Sequence, residues 1–201
     1  MSLLTSWGYS IADISYLPGM LSSDDFETLT ARKYAGDVRI PSMISAAQAA
    51  IRNYCGWHVF PSLSCIFETD SISTGRVIQL PARFVSSVES VTFNGEELPE
   101  KSYHLKPNGL LFFDRKFPGC SWGDITVKYT AGVPEGLMDA IKELIAHRVT
   151  HALAQSYGVQ SEAAGGVSIT YNATWTNNAR ATALPSDNKE VLAPYRLQGV
   201  V

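Results

Sequence analysis

Charge is what this sequence has least of. Asp, Glu, Lys and Arg make up 17% of its 201 residues, against about 25% in an average soluble protein. The 16 basic and 19 acidic side chains leave a net charge of −3, which argues against a protein that grips nucleic acid through a basic excess. Cysteine is scarce as well. Cys55, Cys65 and Cys120 are odd in number and form no C-x-x-C pair, so neither a disulfide framework nor a cysteine zinc site is expected. They read as small buried hydrophobes in a reducing compartment. No apolar run approaches the ~18 residues of a membrane span, and the first twenty residues lack the basic and apolar regions of a signal peptide. The chain is expected to be made and first to work in a cytoplasm, with no membrane partner, which leaves the sequon Asn172-Ala173-Thr174 a chance match.

Catalytic signatures are missing too. There is no G-x-S-x-G elbow, no Walker A loop and no G-x-G-x-x-G after a strand. Gly165-Gly166 precedes a strand, so it lacks the helix N-terminus that would hold a phosphate. Cys55 lies three residues from His58 but on the apolar stripe of its helix, which makes it structural rather than nucleophilic. Glu143, His147 and His151 share one flank of a long helix at i, i+4 and i+8. Two histidines four apart can share a metal, with a carboxylate as third ligand, yet Arg148 stands where a zincin carries its glutamate and no fourth group is evident. A polar flank facing solvent or a neighbour is the simpler reading. No catalytic residue, cofactor or metal is expected. Arg32-Lys33 and Arg115-Lys116 are the only adjacent basic pairs, and no aromatic stripe interleaves with them for base stacking.

What is present is apolar surface: 45% of the residues are hydrophobic. That excludes a disordered chain and suffices for one domain with arms, or two small domains. Residues 1–22 read as an N-terminal arm, in which Trp7, Tyr9, Ile11, Tyr16 and Leu17 are apolar points without helical or strand period. A core follows over 23–157. Its first helix is expected at about 23–35, with Ser23 as N-cap, Asp24, Asp25 and Glu27 in the first turn and Gly36 past the end. A second runs over about 41–56, opened by Pro41 and stopped by Gly56, with Ile44, Ala47, Ile51, Tyr54 and Cys55 on one stripe. From about 59 to 131 the period changes to two. Strands are expected at 62–67, 77–80, 88–93, 96–98, 103–106, 110–113 and 125–130, with hairpins across Asn94-Gly95 and Pro107-Asn108-Gly109. A long helix at about 135–157 presents Leu137, Ile141, Leu144, Ile145, Val149, Ala152 and Leu153 to the core.

Residues 158–201 read as a C-terminal arm. One strand at about 166–172 alternates Val167, Ile169 and Tyr171 with Ser168, Thr170 and Asn172. It shows no hairpin partner nearby, so pairing with a sheet edge in another subunit is expected. The block Val191–Leu197 is too apolar for a free tail and reads as a docking segment. The fold class is therefore α+β: a small helical bundle with an inserted antiparallel β module and extended N- and C-terminal arms. Apolar arms beside a surface poor in charge predict burial on assembly. The residues expected to contact partners are Trp7, Tyr9, Tyr16, Val167, Ile169, Tyr171, Leu192, Tyr195, Arg196 and Leu197. Removing 190–201 is expected to leave a folded chain that no longer assembles.

The order of PSMISAAQAAIRNYCGWHV, GRVIQLPARFVSSVESVTFNGEEL, the Tyr129–Pro134 junction, LMDAIKELIAHRVTHALA, GVQSEAAGGVSITYN and LAPYRL resembles the head-to-tail connector proteins of tailed bacteriophages, also called adaptor or head completion proteins. The resemblance covers about 23–172 and the LAPYRL block; the aromatic arm of residues 1–21 departs from it. It implies a structural virion protein, not an enzyme: a ring of about twelve copies under the portal protein, joined to the next connector, stopper or tail component. DNA would pass through its channel without being read, which suits the absence of basic excess. The alternatives are a metal-dependent hydrolase using His147 and His151, or a tail-terminator or stopper protein of the same virion.

Overall fold

The structure, a computed structural model, describes residues 2–70, 76–106, 108–114, 125–154, 161–164, 167–170 and 186–197. The chain divides into two compact units. One is formed by 1–18, 55–137 and 195–201, the other by 19–54 and 138–194. This division cuts across an arm–core–arm order, because the first unit takes in both ends of the chain. The fold is α+β.

The first unit is built on strand alternation. Its strands are β1 (Leu3–Leu4), β2 (Ser10–Ile11), β3 (Leu63–Thr69), β4 (Val77–Gln79), β5 (Val85–Phe93), β6 (Glu96–Glu97), β7 (Tyr103–Lys106), β8 (Leu110–Phe113) and β9 (Ile125–Ala131). Six of them form one antiparallel sheet in the order β1-β2-β3-β9-β5-β6, and three form a second in the order β4-β8-β7. Central β9 shows why. Ile125, Val127, Tyr129 and Ala131 are fully buried on one face, while Thr126, Lys128 and Thr130 are more open on the other. Full burial of a side chain such as Ile125 or Val127 contributes about 1.5–3 kcal/mol. Both expected hairpins form. Phe93 pairs with Glu96 across Asn94 and Gly95, which have φ of 52° and 81°, the left-handed pair that a tight two-residue turn requires.

The N-terminal segment belongs to this sheet. Ser10 and Ile11 pair with Ile66 and Cys65, the Ala12 amide donates to the Ser64 carbonyl, and Tyr9 and Ile11 are buried. The surface across which Tyr9 and Ile11 lie is therefore the chain's own. Strands of two residues carry too little alternation to be seen as a period.

The second unit holds α1 (Ser23–Leu29), α2 (Ile40–Cys55), α3 (Asp139–Ala154), α4 (Ser186–Leu192) and the strands β10 (Ser161–Ala164) and β11 (Val167–Thr170). Helix α1 is shorter than expected. Its N-cap is Ser22, whose hydroxyl accepts from the Asp25 amide, and it stops at Leu29 instead of reaching Gly36. The Ala31 amide donates to the Thr28 carbonyl and the Arg32 amide to the Glu27 carbonyl, with Ala31 at φ 49°. This is a Schellman stop with alanine where glycine is usual, so a search for glycine places the end too late. Helix α2 ends as expected before Gly56, at φ +78°. The buried amide of Gln48 accepts from the Met20 and Leu21 amides and pins the segment leading into α1. Leu137 lies in a separate 3-10 turn, Glu135–Leu137, and is 52% exposed, so it is not on the core face of α3. Residues 155–157, expected to extend that helix, lie outside the described residues.

Strand β11 is not alone. It pairs antiparallel with β10, Ala164 opposite Val167 and Ser161 opposite Thr170. The expectation of a strand without a local partner is thus corrected. Ser161-Glu162-Ala163-Ala164 has no β-branched or aromatic residue and hides its strand character.

Candidate partner-binding surfaces

The C-terminal block docks within its own chain. Tyr195 closes the 3-10 turn Ala193–Tyr195, and its carbonyl accepts from Trp57 Nε1 at 2.7 Å. Its hydroxyl donates to the Leu137 carbonyl at 3.2 Å, and its ring stacks on Phe84 at 5.8 Å between centroids. The Leu197 amide donates to the Cys55 carbonyl at 2.9 Å while its side chain lies over Gly56. Leu192 is fully buried at the end of α4. The block is apolar because it completes folded units. Arg196 remains exposed.

Tyr9, assigned to partner contact by sequence, is also internal. Its hydroxyl lies 2.7 Å from His58 Nδ1 and accepts from the His58 amide at 3.0 Å. His58 Nε2 faces the Ala131 carbonyl at 2.9 Å. A carbonyl only accepts, so in the neutral ring Nε2 carries the hydrogen and Nδ1 accepts from the Tyr9 hydroxyl. His58 is thus occupied with Tyr9 and Ala131 rather than with Cys55. Burial pushes the Cys55 thiol up to about 12, against the lowering field of Arg196, which removes the thiolate a nucleophile needs. Beside His58, Val59 has φ 67° and is buried, and the Phe60 amide donates to the His58 carbonyl at 2.8 Å. A β-branched residue in this γ-turn is strained.

Trp7 is half-buried against Tyr9, with ring centroids 6.3 Å apart, and Tyr16 is 76% exposed. Val167 and Ile169 lie on β11; Tyr171 falls outside the described residues. Among the described members of the expected contact set, Tyr16 and Arg196 are exposed and Trp7, Tyr195 and Leu197 are half-buried, while Tyr9 and Leu192 are buried.

On α3 the His147 and His151 rings lie 6.4 Å apart between centroids. Desolvation, and then the His147 charge, lower the His151 pKa. Among the described residues no three His, Cys, Asp or Glu side chains converge to hold a metal. Sequence reasoning passed over a different surface. Leu29 and Val38, 50% and 91% exposed, flank the turn between α1 and α2. In that turn Arg39 donates to Asp37 and holds its carboxyl at about 2, well below the usual range. The missing signal was the early end of α1, which turns an expected helix face into an exposed turn.

A family model described as head completion protein matches residues 20–197. The chain belongs to the head completion protein family. The match leaves out most of the N-terminal segment, the part that departs from the resemblance seen in the sequence, and it makes this chain a structural component of a head–tail connector. No curated protein matches the sequence. Among solved structures, the chain is similar to one from the neck of an empty GTA particle computed with C6 symmetry, with 16% identity and a TM-score of 0.57, covering 95% of this chain and 97% of that one. A chain from the neck of the native GTA particle, computed with C12 symmetry, gives 17% identity and a TM-score of 0.53 at the same coverage. A third, from the virion of the native gene transfer agent particle, gives 18% and 0.56, again covering 95% and 97%. These likenesses show a shared fold over nearly the whole length of each chain.

Proposed function

We propose that this head completion protein forms a ring of about twelve copies between the portal and the tail, through which packaged DNA passes without being read. The observation that carries the reading is the family match across 20–197, which spans residues of both units. The neck chains of similar fold come from assemblies computed with C6 and C12 symmetry. The mechanism is assembly. Subunits made in the host cytoplasm are recruited to the filled head, and their contacts close a ring that presents a landing surface to the tail. A channel for DNA is served by a chain without basic excess, since phosphates would otherwise be held. Within this reading Trp7, Tyr16, Arg196 and the β11 side chains Val167 and Ile169, with Tyr171 beyond it, contact the portal or a neighbouring copy.

The test is particle assembly without the protein. DNA-packed heads lacking tails should accumulate, and purified protein should restore tail joining with several copies per particle. Tailed particles produced in normal number without it would refute the role.

A further inference from the structure

Between α1 and α2 the chain makes an excursion whose residues are mostly exposed. Val38 is the most exposed large apolar side chain among the described residues, and Leu29 stands at the start of the same turn. The turn is nonetheless well defined. Ala31 and Arg32 are consecutive non-glycine residues at φ 49° and 59°. Amide hydrogen bonds then follow one another, Lys33 to Thr30, Ala35 to Arg32, Asp37 to Tyr34 and Ile40 to Asp37. Lys33 Nζ sits 5.3 Å from the Tyr34 ring centroid, and Tyr34 packs near Phe26. Strained residues persist where the surroundings over-determine them, and such places are often recognition sites. A preformed turn also loses little entropy on binding.

Charge sharpens the point. In a chain so poor in it, residues 29–39 hold three basic side chains and one acidic. Asp37 is taken by Arg39 at 2.7 Å. Among the described residues no carboxylate pairs with Arg32 or Lys33. The opposite pattern stands at the edge of the large sheet. Glu96 and Glu97 form β6, Glu100 follows, all three are exposed, and no described cation pairs with them. Between them lie half-buried Leu98 and exposed Pro99. Burial, then the charges of Glu100 and Glu97, push the Tyr103 hydroxyl up, so these carboxylates act together on one edge.

We infer that the α1–α2 turn of one copy docks on the β6 edge of a second copy, with Val38 and Leu29 against Leu98 and Pro99 and with Arg32 and Lys33 facing Glu96, Glu97 and Glu100. The inference rests on the ring reading above. A ring needs a heterologous contact, one patch meeting a different and complementary one, and this chain carries two such patches. Apolar contact at the centre supplies adhesion, while charge at the rim fixes orientation and speeds encounter.

The test is charge exchange in particles assembled with variants of the full chain. Copies of the protein per particle are counted by quantitative mass spectrometry, and folding is checked by circular dichroism. Arg32→Glu with Lys33→Glu should lower the copy number about tenfold, as should Glu96→Lys with Glu97→Lys, since like charges then face each other. Combining all four should restore it. If either one-sided reversal assembles as the wild type does, or if the folded four-fold variant fails to recover, the contact is refuted while the ring stands. If the wild-type protein itself is present in one copy per particle, the ring reading falls, and this contact with it.

Discussion

The Tyr9 hydroxyl and the His58 imidazole close on each other, Oη donating a hydrogen bond to Nδ1 of the neutral ring at 2.7 Å and accepting one from the His58 amide at 3.0 Å. One phenol therefore satisfies two buried polar groups, separated from it by 49 residues, and fastens the N-terminal segment to the sheet. Replacing it by phenylalanine removes both hydrogen bonds at little change in volume. Tyr9→Phe should cost about 2 kcal/mol or more in urea unfolding. The Tyr129 hydroxyl makes the control: it is buried and meets no nitrogen or oxygen partner among the described residues, with only the weakly bonding Cys65 thiol beside it. Tyr129→Phe should be near neutral, because the hydroxyl's burial is poorly compensated. Equal losses in the two variants would overturn the assignment.

These two tyrosines also mark what a sequence can and cannot disclose. Tyr129 alternates with Val127 and Ile125 along a strand, so its burial was legible from period alone. Tyr9 stands in a segment with no period, and its partner is remote in the chain. The same contrast runs through the molecule. Asn94-Gly95 announced its hairpin because two left-handed residues are a local requirement. The seat of Tyr195 on Trp57 and Phe84 is long-range packing, and apolar residues near a chain end look alike whether they dock in cis or in trans. Connector ancestry was readable because the order of elements survives in the pattern. The exposed turn at Val38 was not, since it depends on where α1 stops.

That stop can be tested directly. Ala31 holds a left-handed conformation that glycine adopts without a Cβ penalty. Ala31→Gly should raise stability by about 0.5 kcal/mol, the relief being partly offset by the greater freedom of glycine in the unfolded chain. A rise in melting temperature is the expected observation, and a fall would mean that the Schellman stop is not the conformation in solution.

Gly132 should behave in the opposite way. A Cβ placed there would lie 2.4 Å from Ser62 Cα and 2.5 Å from the Ser62 amide nitrogen, both backbone atoms that cannot swing aside. Gly132→Ala should lower stability by about 3 kcal/mol. At Gly136 a Cβ meets nothing within 4 Å, and Gly136→Ala should be tolerated. Thermal melts of the pair separate a steric demand from a general intolerance of substitution.

Thiol chemistry gives a readout of native packing. Burial pushes both Cys55 and Cys65 up to about 12, so neither forms appreciable thiolate at pH 8. In a Cys120→Ser background the folded protein should react negligibly with an aromatic disulfide reagent at that pH. Denaturant should then release two equivalents. Rapid reaction before unfolding would show that the core around these residues opens.

The seat of the C-terminal block decides how truncations must be read. Ending the chain before residue 190 removes fully buried Leu192, the acceptor of Trp57 Nε1, the donor to the Cys55 carbonyl and the ring that covers Phe84. Loss of one buried leucine contributes about 2 kcal/mol, and each uncompensated polar partner about 1 kcal/mol more. The truncated chain should therefore unfold at markedly lower denaturant, and its failure to assemble would follow from damaged folding as well as from lost contacts. Arg196→Ala separates the two. Arg196 is exposed, so its replacement should cost far less stability than the truncation, as urea unfolding checks, while a role in partner contact would appear as fewer tailed particles. An Arg196→Ala chain that assembles as the wild type does would remove this residue from the contact set and leave the block a structural clasp.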